Sequence, residues 1–129
     1  MSTWFNLLAI AIAGATGSLC RYGITLAAAA VPGGNTLYGT TIVNVLGCAL
    51  LGGISALQVP DSVVTERVIL AVRVGFLGSL TTFSTFASES SVLAEDGQWG
   101  ASTAYTLANL VLGWAALMAA SGWVKGWAS

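Results

Sequence analysis

The sequence predicts an all-α membrane protein with four transmembrane helices, and three observations carry that prediction. The chain is 56% hydrophobic and only 7% charged, whereas a soluble domain carries about a quarter charged residues. Its four basic and five acidic side chains leave uncharged runs that reach the roughly 20 apolar residues a bilayer crossing needs. Turn-forming clusters separate those runs: Val31-Pro32-Gly33-Gly34-Asn35, Val59-Pro60-Asp61 and Glu95-Asp96-Gly97. The spans are expected at about 4–30, 36–59, 68–94 and 98–124, in one transmembrane domain over residues 1–129.

The first span holds a single charge, Arg21, toward its second end. Two readings of it are open: a side chain that snorkels to the interface, or a cation in a vestibule. Ala13 and Gly17 are small residues four apart, a pattern that lets two helix backbones approach closely. Met1-Ser2-Thr3-Trp4 lacks the basic n-region of a secretory signal, so this span is expected to be retained.

The second span is uncharged and carries Asn44 near its middle. An amide in hydrocarbon needs a partner. An interhelical hydrogen bond and an N–H donor facing a pore both fit. Gly47, Gly52 and Gly53 suit close helix packing.

The third span is the unusual one. Residues 75–86 read Gly75-Phe76-Leu77-Gly78-Ser79-Leu80-Thr81-Thr82-Phe83-Ser84-Thr85-Phe86, with two glycines, five hydroxyls and three phenylalanines. Glycines loosen a helix, and hydroxyls bring donors to a place with little water. The segment reads as a broken helix with a polar, aromatic-lined path. Carbonyls freed by a break need a partner that lipid does not offer; another span, a water or a hard cation would serve. Phe83 and Phe86, three apart, share a helical face, and Glu89 continues it. Arg73 flanks the segment on its other side.

The fourth span is also uncharged. Tyr105, Asn109 and Gly113 recur at every fourth position and form one stripe. That stripe fits either helix packing or the polar wall of a conduction path. Trp4, Trp99, Trp123 and Trp127 fall near span ends, as aromatic belts do.

The composition argues against an enzyme: the chain has no histidine, and no nucleophile–base pair or metal-ligating cluster is visible. Cys20 and Cys48 lie within spans and read as small buried thiols, not as a disulfide. With only four basic residues, no nucleic-acid partner is expected. Arg67 and Lys125 fall on the side of the termini and Glu95 and Asp96 on the other, which leans toward termini inside. So small a bias leaves insertion in both orientations open. Four helices enclose little space, so a homodimer is expected, with every polar feature duplicated by the partner. Cation pores usually show Asp or Glu rings, and the only acid within a span is Glu89. Neutral donors and the positive rims of phenyl rings favour an anion, so the residues describe a narrow, anion-favouring path.

Gly78-Ser79-Leu80-Thr81-Thr82-Phe83-Ser84-Thr85-Phe86 closely resembles the signature of the Fluc (CrcB) fluoride channels. Gly14-x-x-Gly17-x-x-x-Arg21-Tyr22 is similar to that family's first-span motif, and Gly39-Thr40-x-x-x-Asn44-x-x-Gly47 with Gly52 to its second-span motif. The departures are Ala13 in place of a common glycine, Cys48 in place of a usual serine, and Asn109 and Gly113 where the fourth span often carries serines. The resemblance implies an antiparallel, dual-topology homodimer in the inner (plasma) membrane, exporting fluoride passively through two pores. It implies a structural sodium ion on the dimer axis, held by backbone carbonyls of Gly78 and Thr81. Asn44, Thr82, Phe83, Ser84, Thr85, Phe86, Tyr105 and Asn109 would line the fluoride path, with Arg21 and Glu89 at the vestibule. Membrane lipid would be the remaining partner.

Two other classes fit less well. A small multidrug-resistance transporter is also a four-span dimer, but it needs a carboxylate in the middle of its first span, and residues 4–30 contain no Asp or Glu. A non-transporting membrane assembly protein has no use for Asn44 and the Thr-Thr-Phe-Ser-Thr-Phe run at depth.

Overall fold

The computed structural model describes residues 2–128, and their regular structure is helical throughout. Four stretches are long and apolar enough to cross a membrane: Thr3–Ala30, Thr36–Ala56, Val63–Glu95 and Trp99–Trp127. The first span is one unbroken helix, Ser2–Ala30. The chain then reverses at Gly33, whose φ of +75° suits a residue without a side chain. Asn35 opens the second helix, Thr36–Ala56, by accepting the Tyr38 N–H at 3.2 Å.

Two boundaries differ from expectation, each for a local reason. The second helix stops at Ala56 and not at 59, because Leu57 turns extended (ψ 131°) just before the Val59-Pro60 pair. The third span begins at Val63 and not at 68, because Ser62 caps it through the Thr65 N–H at 3.1 Å. Glu66 and Arg67 therefore lie inside the helix. A charge ends an apolar run without ending a helix. The fourth span likewise runs on to Ala128, past the expected 124, with Lys125 in its last turn where the helix dipole favours a cation.

The third and fourth spans are not uniform. Val63–Leu70 passes into a π-helical segment, Ala71–Leu77, and then a short α-turn, Gly78–Leu80. Thr81 and Thr82 are extended (ψ 157° and 119°), and a new helix runs over Phe83–Glu95. In the fourth span a π-helical segment, Ala108–Leu112, separates Trp99–Leu107 from Gly113–Ala128. Single widened turns of this kind occur often at functional sites.

Packing depends on missing side chains. A Cβ on Gly17 would lie 2.2 Å from the Phe76 carbonyl oxygen, so the first and third spans touch through backbone there. The second span meets the second half of the fourth in the same way, with Gly52 set against the backbone of Leu117. Val43, Leu77 and Leu80 form the small buried core, flanked by Ile24, Leu51 and Phe76. The interior also buries Thr40, Thr82, Ser102 and Asn109, while Trp4, Trp99, Trp114, Trp123 and Trp127 lie exposed on the exterior. Polar groups inside and large apolar ones outside are what a helix bundle in lipid requires.

Candidate functional site

The site grows from Thr81 and Thr82. An extended peptide in a span loses its helical hydrogen bonds and must find others. For Thr82 they come from one side chain. Asn44 Oδ1 accepts the Thr82 N–H at 2.8 Å, and Asn44 Nδ2 donates to the Thr82 carbonyl at 3.1 Å. The amide thus pairs with the peptide as a neighbouring strand would. That pairing also fixes the amide's orientation, since its oxygen must meet an N–H and its nitrogen a C=O.

The remaining N–H of Asn44 donates to Asn109 Oδ1 at 2.9 Å. Asn109 Nδ2 donates in turn to Thr41 Oγ1 and to the Tyr105 carbonyl, both at 3.1 Å. Three spans are tied together by two amides, and every amide N–H is engaged within the chain. Of the two readings open for Asn44, the structure gives it the interhelical bonds.

Thr82 also caps the helix that follows. Its Oγ1 accepts the Thr85 N–H at 3.2 Å and donates to Thr85 Oγ1 at 3.0 Å. Thr81 turns back, giving its N–H and its hydroxyl to the Leu77 carbonyl at 3.0 and 2.9 Å. Among the described residues, no hydrogen bond reaches the carbonyl oxygens of Gly78 or Thr81. These are terminal carbonyls of a helix, which have no partner within it and carry its negative dipole end.

The aromatic face divides. Phe83 is 75% exposed and Phe86 only 6%, with rings edge-to-face at 5.4 Å and 71°. Phe86 packs on Tyr105 at 5.9 Å, so it lies between an exposed ring and a buried one. Tyr105 gives its hydroxyl proton to the Glu89 carboxylate at 2.6 Å, a charge-assisted bond. Beside it Ser90 meets Ser102 and Thr106 at 3.0 and 2.8 Å. These hydroxyls hold Phe83–Glu95 against Trp99–Leu107.

An open groove of about 320 Å³ runs along this region. It gathers Asn44, Gly78, Thr81, Thr82, Phe83, Phe86 and Asn109 of the expected site. Arg21, Ser84, Thr85, Glu89 and Tyr105 are not in its wall. Ser84 and Thr85 are exposed at the start of their helix, and Arg21 is half-buried on the first span. The groove adds Gly47, Cys48 and Arg73, which sequence reasoning did not place at the site. Gly47 belongs there because a Cβ on it would fall 2.1 Å from Thr81 Cγ2. The one available signal for Arg73 was a guanidinium inside a span.

Fold and groove together define a multi-pass α-helical membrane protein with a polar junction at the interruption of its third span. The comparisons make the class specific. Residues 8–122 match the family model described as "CrcB-like protein, Camphor Resistance (CrcB)". The chain is 42% identical to a Fluoride-specific ion channel FluC of Rhodopirellula baltica, over 96% of this chain and 97% of that one. It is 37% identical to a protein of the same name from Geobacter sulfurreducens, over 89% of this chain and 96% of that one. A third, from Nitrosococcus oceani, is 42% identical over 74% of this chain and 77% of its own. The chain belongs to the CrcB family of fluoride channels.

Proposed function

We propose that this protein is a fluoride-selective channel that exports fluoride passively from the cytoplasm across the inner membrane. The observation that carries the reading is the near full-length similarity to proteins named for that activity. The groove supports it. Phe83 offers an exposed ring whose rim is its positive part. The N-terminus of Phe83–Glu95, the positive end of a thirteen-residue helix, lies in the groove wall. The groove is open on one side, which leaves a face for a second copy to cover.

In this reading the functional unit is an antiparallel homodimer of dual topology with two pores. Asn44 holds the Thr82 backbone and thereby sets where Phe83 begins its helix. Tyr105 and Glu89 hold Phe86 from behind. A structural sodium ion fits the dimer axis: the Gly78 and Thr81 carbonyls are hard oxygen donors without partners, and two copies would supply four. A bound sodium would fix the two interruptions against each other.

The test is reconstitution in liposomes with release followed by a fluoride electrode. Fluoride release far above chloride release is expected. No release, or equal release of both ions, overturns the reading.

A further inference from the structure

Arg73 is a charged residue of the groove wall that the proposed function leaves unused. It lies in the π-helical segment Ala71–Leu77, roughly 10 Å of helix before Thr81. It shares the groove wall with Asn44, Thr82, Phe83 and Phe86. Among the described residues its guanidinium has no hydrogen bond and no ion pair. The groove wall holds no acidic side chain to neutralise it. The other charge of the span's interior, Glu89, is engaged by Tyr105. Arg67 is distinct again, with its guanidinium 6.0 Å from the centre of the Phe5 ring.

A guanidinium inside a span needs water, an anion or backbone carbonyls beside it. Arg73 is exposed, and it shares the groove wall with Phe83 and Phe86. We propose that Arg73 makes the groove a hydrated vestibule and concentrates small anions at the entrance to the Phe83–Phe86 path. Resting on the fluoride-channel reading, it assigns to one residue the step before dehydration. A fixed charge of this kind raises the local anion concentration and the entry rate, about tenfold or more in the absence of salt. Its reach shrinks from about 10 Å at 0.1 M salt to about 3 Å at 1 M.

The experiment measures fluoride flux through wild type, Arg73→Gln and Arg73→Lys in liposomes. Potassium gluconate sets the ionic strength, and sodium is held constant. Arg73→Gln is expected to lose several-fold in flux at low ionic strength and to approach wild type at 1 M. Arg73→Lys should keep most of the flux. Equal flux of Arg73→Gln and wild type at low ionic strength overturns the proposal. So does an equal loss at every ionic strength, which would mark a structural role. Inactive wild type would instead overturn the channel reading. The vestibule then has its own measurement: Arg73→Cys, with Cys20 and Cys48 replaced by Ser, labelled by a membrane-impermeant methanethiosulfonate. Labelling above the cysteine-free background supports a hydrated groove, and none overturns it.

Discussion

At the scale of single residues, Asn44 carries the most structure. It satisfies both polar groups of the Thr82 peptide and still reaches Asn109. Asn44→Asp keeps the shape and the acceptor but loses both donors. It would set a carboxylate against the Thr82 carbonyl and the Asn109 oxygen. A buried group left unpaired costs about 1–3 kcal/mol, and more where charge is involved. Asn44→Asp should therefore lower thermal stability in detergent well beyond Thr41→Val, which removes a single partner of Asn109. Equal melting temperatures for the two variants would refute that ranking. The sequence showed that Asn44 needs a partner. It could not show which, because Thr82 lies 38 residues further along the chain and contributes only peptide atoms.

At the scale of elements, the positions and chemistry of the four spans were legible, and the two π-helical segments were not. Apolar runs and Pro-Gly clusters report where a chain enters and leaves a bilayer. They say nothing of a widened turn, which depends on a neighbouring helix: Gly75, in the first π-helical segment, is pressed on Ile10 and Ala13 of the first span. The start at Val63 was readable in principle from Ser62, but the charges of Glu66 and Arg67 masked it. The small pair Ala13 and Gly17 has its counterpart in Gly75 and Phe76 of the third span. Gly17→Ala tests that contact. Its new methyl would meet a backbone oxygen that cannot swing aside, and such overpacking costs about 1–3 kcal/mol. Gly122→Ala, where a Cβ meets nothing within 4 Å, is the matched control and should be mildly stabilising, by up to about 1 kcal/mol. Urea or thermal unfolding of the two variants decides between them.

At the scale of the whole molecule, the groove is an open face of the chain. Its wall is complete on the side of the second, third and fourth spans and open opposite. From the sequence, one copy is too small to enclose a path, and the open groove is the face that the proposed partner copy would cover. In the proposed assembly the purified protein should have twice the 13.1 kDa of one chain by light scattering. A cysteine introduced near Lys125 should be labelled from both sides of the membrane in intact cells. Monomeric mass, or labelling from one side only, would refute the dual-topology dimer and leave the groove without its lid.

The pairing of Asn44 with a peptide has a consequence for how this site can change over time. Asn44 recognises Thr82 by its main chain, so almost any residue able to cap the following helix could occupy position 82 without disturbing the bond. Position 44 has no such freedom, because only a short amide offers a donor and an acceptor at that reach. Correlated substitution, the usual trace of two residues in contact, would be silent here. The link from Asn44 constrains position 44 alone, and what constrains position 82 is the cap it gives the next helix.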